Sequence, residues 1–178
     1  MRLIVLLLSM CISVAIHAQS FDPEYSVNWP TGYEPGKSKF FVHNEIEIAA
    51  TPEKVWAILV EAVAWPNWYE GAHDVVVSGN ATALQQNSVF TWKTMGLHFT
   101  STIKEFEPQL RLSWESKKKS IQGYHAWVII PTATGCRVIT DESQNGWLTF
   151  FEKTFQGKKL KRLHDVWLTE LKKKSEEP

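Results

Sequence analysis

IEIAATPEKVWAILVEAVAWPNWYEG, residues 46–71, passes from strand to helix and then stops the helix. Ile46 and Ile48 alternate with Glu47, the period of a strand with one wet face. Thr51 is an N-cap residue, and Pro52 suits the first helical position, where its missing N–H costs nothing. Val55, Trp56, Leu59 and Val63 recur at helical spacing until Pro66 interrupts them, which predicts two short helices or a helix and a turn ending at Gly71. Trp56, Trp65 and Trp68 fall in this one short segment. So much aromatic surface at the end of a brief helix reads as a lid over an apolar cavity.

The pattern continues in both directions. Upstream, Val42 and Asn44 share a side with Ile46 and Ile48, while His43, Glu45 and Glu47 take the other. Downstream, HDVVVSG (73–79), NSVFTWKTM (87–95), LHFTSTIKEFEP (97–108), LRLSWESK (110–117), GYHAWVIIPT (123–132) and CRVITDESQNG (136–146) read as strands. A turn at Met95–Gly96 sets Thr94 against Leu97, Lys93 against His98, Trp92 against Phe99 and Phe90 against Ser101. One sheet face then carries Phe90, Trp92, Leu97 and Phe99, and the other Thr91, Lys93, His98 and Thr100. From Trp147 the period lengthens. Leu160, Leu163, His164, Trp167, Leu168 and Leu171 make the apolar face of a long helix, with Gly157 expected to loosen it near the middle. Strand, short helices, six more strands and a long helix give an α+β layer architecture.

These same segments, IEIAATPEKVWAILVEAVAWPNWYEG, FTWKTMGLHFTSTIKEFEP, GYHAWVIIPTATGCRVITDES and LHDVWLTELKKKSE, resemble the polyketide cyclase/dehydrase and lipid transport group of the START-like (SRPBCC) superfamily over roughly residues 40–175. The resemblance implies the helix-grip fold: a curved antiparallel sheet wrapped around the long C-terminal helix, with a hydrophobic cavity between them. It implies that Trp56 points into the core while Trp65 and Trp68 flank the cavity mouth. That superfamily holds lipid carriers, hormone and allergen-type binders, aromatase/cyclases and hydroxylase subunits, so fold alone assigns no activity.

The expected partner is therefore a hydrophobic small molecule or lipid. The alternative is a cyclase, dehydratase or hydrolase acting through polar groups in the cavity. Lining candidates are Trp56, Trp65, Trp68, Phe90, Trp92, Phe99, Trp114, His125, Trp127, Glu142, His164 and Trp167. His125 shares a strand face with Trp127, so it either orients a ligand or does acid–base work, or else is satisfied within the sheet. Glu142 shares a face with Val138 and Thr140, opposite Asp141, and is read as the inner carboxylate unless it sits exposed at the strand end. His164 lies mid-face on the helix, at the cavity or the core edge.

Other classes are disfavoured. With 19 basic and 19 acidic residues, no bulk charge draws nucleic acid. The six histidines show no ligand spacing in sequence, so no metal is expected, and without a Gly-rich phosphate loop no cofactor is either. The basic loop Lys117–Lys119 and the stripe Lys158–Arg162 offer a weak case for membrane contact. A monomer is expected. The N-terminus MRLIVLLLSMCISVAIHAQS has Arg2, an apolar run from Leu3 to Ile16 and a small residue at Ala18, the pattern of a cleaved export signal over 1–18. The run is short against the ~20 residues of a membrane span. A secreted or periplasmic location follows, with Cys136 the one cysteine beyond the signal, read as a small buried residue. Residues 19–37 form an extended leader whose Tyr25, Trp29 and Tyr33 pack onto a domain spanning 38–175.

Overall fold

The computed structural model describes residues 25–149, 154 and 157–178. The segment read as an export signal, 1–18, and the first residues of the expected leader lie outside them. The strands are β1 (Phe40–Ile48), β2 (His73–Val77), β3 (Val89–Thr94), β4 (Leu97–Glu107), β5 (Arg111–Lys117), β6 (Gln122–Thr132) and β7 (Gly135–Asn145). The helices are α1 (Pro52–Val60), the 3-10 turn Ala62–Asn67, and α2 (Gly157–Glu176). All seven strands join one antiparallel sheet in the order β1-β7-β6-β5-β4-β3-β2.

Local chemistry sets these boundaries. The Thr51 hydroxyl accepts a hydrogen bond from the Lys54 N–H at 3.4 Å and opens α1, with Pro52 at its start. The turn between β3 and β4 puts Met95 at φ 52° and Gly96 at φ 82°, the two positive values of a hairpin turn that follows strand twist. The register is the one the sequence predicts, with Trp92 opposite Phe99 and Lys93 opposite His98. α2 is continuous from Gly157 to Glu176, and the expectation that Gly157 loosens the middle of a longer helix falls on residues outside those described. No described helix is long and apolar enough to cross a membrane.

α2 lies in the concave side of the sheet and buries Leu160, Leu163, His164, Trp167, Leu168 and Leu171. At one flank Asn44 of β1 donates to the Lys161 carbonyl at 3.3 Å and to Asp165 Oδ1 at 2.5 Å, which fixes the helix against the sheet edge. The leader covers the opposite, convex side. Trp29 packs against Phe41 at 5.8 Å and Tyr124 at 5.7 Å, and Tyr33 against Tyr124 at 5.6 Å between ring centroids. The Tyr33 hydroxyl donates to Glu115 Oε1 at 3.1 Å. This cover explains why Tyr124, Ala126 and Val128, on the face away from α2, are as buried as His125 and Trp127. β6 is enclosed on both faces, hence its nearly continuous apolar sequence.

Candidate functional site

Most of the space between sheet and helix is filled with indole rings. Trp65 is fully buried at the centre of the cluster. Its ring lies 5.0 Å from Trp167, 5.8 Å from Trp114, 5.9 Å from Phe90 and 6.0 Å from Trp92. The expectation that Trp65 flanks the cavity mouth is thus corrected. α1 ends at Val60, which leaves the Leu59 carbonyl without a helical partner, and the Trp65 indole N–H donates to it at 2.9 Å. The following 3-10 turn, with Pro66 inside it, aims the ring inward. Trp68 is half-buried against the core and does not line the cavity. Trp56 points inward as expected, packs on Phe106 at 5.0 Å, and lies off the cavity. Phe90 and Trp127 are core residues behind the cavity wall.

Tyr69, not singled out by the sequence reading, takes the place expected of the tryptophans. Its ring stacks on Trp167 at 4.2 Å and 13° and forms part of the cavity wall. Gly71 makes this possible, since a Cβ there would lie 2.1 Å from the Tyr69 hydroxyl. The glycine that stops the opening motif therefore leaves room for a tyrosine.

What remains is a cavity of about 40 Å³. At about 10–15 Å³ per water it holds a few waters before any side chain moves. Of the candidates, Trp92, Phe99, Trp114, His125, Glu142, His164 and Trp167 line it. So do Tyr69, Ser116, Gly123 and Gln144, and the half-buried Met95, Leu97 and Phe99 form its rim at the β3–β4 hairpin. A second, more open groove of about 350 Å³ lies on the convex side under Tyr25 and Trp29, where His43 Nδ1 sits 2.6 Å from Asp141 Oδ1.

The polar end of the inner cavity comes from three elements. His125 on β6 and Glu142 on β7 are directly opposed in register, and His164 descends from α2. Glu142 Oε2 lies 3.2 Å from His125 Nδ1 and 3.3 Å from His164 Nε2. Gln144 Nε2 donates to Glu142 Oε1 at 2.5 Å, and His125 Nε2 pairs with the Thr140 hydroxyl at 2.7 Å. With the His125 proton on Nδ1, facing the carboxylate, Nε2 accepts from Thr140. Both histidines are nearly inaccessible, while the Glu142 side chain keeps 16% exposure toward the cavity.

Burial pushes the His125 imidazole down to about 4 against the opposing pull of Glu142, so the ring is neutral at pH 7. Burial also disfavours the Glu142 charge. The hydrogen bonds from His125 and His164 outweigh it and hold the carboxyl well below its ordinary range. Burial, and then the Glu142 charge, raise the Tyr69 phenol, which keeps its proton. An ionised carboxylate, two imidazoles and a neutral phenol thus meet at one end of an aromatic cavity. The arrangement can orient a polar group or move a proton. The three ligand atoms of His125, Glu142 and His164 also lie within 4.8 Å of one another. Spacing along the chain hid this cluster because each member sits on a different element.

The sequence profile for polyketide cyclase/dehydrase and lipid transport matches residues 40–176. The chain belongs to that family. The fold is shared with the hypothetical protein jhp0584 of Helicobacter pylori, at TM-score 0.80 and 25% identity over 88% of this chain and 99% of that one. It is shared also with the di-domain aromatase/cyclase BexL from the BE-7585A biosynthetic pathway, at TM-score 0.61 and 13% identity, covering 78% of this chain and 50% of that one. Thalictrum flavum norcoclaurine synthase, solved with a transition-state analogue, matches at TM-score 0.57 and 10% identity over 75% of this chain and 92% of that one. No curated protein matches the chain. Family membership sets the chain among binders of hydrophobic small molecules and cyclase-type enzymes, and the helix-grip fold is the one observed here.

Proposed function

We propose that this protein binds a compact, largely apolar molecule, with its polar end at Glu142, His125 and His164 and its apolar body among Trp92, Phe99, Trp114 and Trp167. The observation that carries the reading is an aromatic cavity with one polar end made of convergent, buried groups. Binding sites for small molecules combine apolar walls with a few placed polar groups in this way. A cavity of about 40 Å³ takes such a molecule only by opening, and the half-buried Met95, Leu97 and Phe99 at its rim are the side chains that would move. The export pattern at residues 1–18 supports a carrier working in the periplasm or outside the cell.

Convergence of the three ionisable groups favours a second reading, a cyclase or dehydratase in which the Glu142–imidazole cluster takes a proton from the bound molecule. Native mass spectrometry of the purified protein, followed by extraction and a panel of lipids and aromatic acids, separates the two. A carrier releases its ligand unchanged. An enzyme converts it, and Glu142→Gln abolishes conversion while retaining binding. A folded protein that takes up nothing across the panel overturns both.

A further inference from the structure

We propose that His125, Glu142 and His164 bind one divalent transition-metal ion, of which zinc is the type, with an open coordination position toward the cavity. This rests on the cavity's being the working site.

The donor set comes first. Two imidazoles and one carboxylate make a zinc site that keeps a fourth position for water or ligand, and no thiolate is needed. Spacing comes second. Zinc–ligand bonds of about 2.0–2.2 Å in a tetrahedron place neighbouring ligand atoms about 3.3–3.6 Å apart. Glu142 Oε2 stands 3.2 Å from His125 Nδ1 and 3.3 Å from His164 Nε2. The three ligand atoms lie within 4.8 Å of one another, so an ion keeps the two Glu142 spacings and draws the imidazoles together by up to about 1 Å through side-chain rotation.

The supporting shell is the third observation. A metal-bound imidazole usually donates its other N–H to a fixed acceptor. The Thr140 hydroxyl is 2.7 Å from His125 Nε2, so with the metal on Nδ1 the Nε2–H donates to Thr140. Gln144 occupies Glu142 Oε1 and leaves Oε2 for the ion. Indoles of Trp114 and Trp167 surround the cluster, at 4.5 and 5.6 Å from the His125 ring, and keep bulk water out. In such surroundings a lone carboxylate charge is costly, and a dication compensates it. One carboxylate under a dication leaves net positive charge, so the open position selects a ligand whose polar end is an oxyanion, such as a carboxylate or enolate.

The test uses the full chain, stripped with a chelator, dialysed and checked by circular dichroism. Cobalt(II) is titrated as a spectroscopic stand-in and then displaced by zinc. The expected result is a visible ligand-field spectrum saturating at one equivalent and lost on adding zinc. His164→Asn and Glu142→Gln abolish it. Thr140→Ala, which keeps all three ligands, weakens affinity about 10–100-fold. His98→Ala, on an exposed histidine of the opposite face, changes nothing. Absence of a one-equivalent spectrum in the folded wild type overturns the proposal, as does a spectrum that persists in His164→Asn. If the ligand variants fail to fold, an unchanged affinity in Thr140→Ala overturns it. An apolar fluorescent probe is titrated in parallel. Probe binding without cobalt binding removes the metal and leaves the cavity reading standing. Cobalt binding without probe binding does the reverse.

Discussion

Replacing Trp65 with alanine removes the ring on which the core converges. The side chain is wholly enclosed, with four aromatic neighbours inside about 6 Å, and does not touch the cavity. Truncation of a buried Trp costs about 3–5 kcal/mol from lost transfer energy and the void left behind. The Leu59 carbonyl also loses its donor, and a buried acceptor left unpaired adds about 1–3 kcal/mol. The sum, about 4–8 kcal/mol, is a large part of the roughly 5–15 kcal/mol that holds a domain together. At about 2–4 °C per kcal/mol for a chain of this size, the midpoint should fall by at least about 8 °C. Trp92→Ala should cost less, because one side of Trp92 faces the cavity and its N–H partner Ser101 keeps a second bond to Ser116 at 2.7 Å. Urea melts of both variants, compared at equal m-value, provide the check. A Trp65→Ala protein losing under about 1.5 kcal/mol, beside a more damaged Trp92→Ala, would refute the assignment of Trp65 to core and Trp92 to cavity wall.

Three further outcomes follow from the same geometry. Gly71→Ala should force the Tyr69 ring off Trp167 and destabilise by about 1–3 kcal/mol, the range for overpacking, read by thermal melting. Asn44→Ala removes the two bonds its side chain makes to α2 and should cost about 1–3 kcal/mol, with faster amide exchange near Lys161–Asp165. Cys136 is fully buried, and burial pushes its thiol up to about 11. It should stay unreactive to a thiol reagent at pH 8 in the folded protein and react at once in denaturant, while fast labelling of the native state would count against its burial.

The sheet was legible because its signals are local. The alternation in β1 and the Met95–Gly96 turn each involve neighbours in sequence, and they set the β3–β4 register correctly. Strand parity placed His125 beside Trp127 and Glu142 beside Val138 and Thr140, but which face turns inward was set only by the seat of α2, which puts both in the cavity wall. Trp65 and Tyr69 were harder. Their directions depend on how far the chain rotates through a proline-containing 3-10 turn, and no periodicity records that rotation. The meeting of His125, Glu142 and His164 was invisible for another reason. Ligands taken from two strands and a helix share no spacing in the chain, and only the seat of α2 in the sheet brings His164 down to Glu142.

The most direct test of the cavity as a binding site is to fill it without disturbing the core. Gly123 lines the cavity, its φ is not positive, and an added Cβ would meet only Glu142 Oε1, at 3.6 Å. A Gly123→Leu side chain therefore points into the space a ligand would use. Titration of an apolar fluorescent probe should give saturable binding at one site in the wild type. In Gly123→Leu it should give at least about tenfold weaker binding, a loss near 1.4 kcal/mol, with the fold retained by circular dichroism. Undiminished probe binding by a folded Gly123→Leu protein would contradict the account and move the binding site away from Glu142.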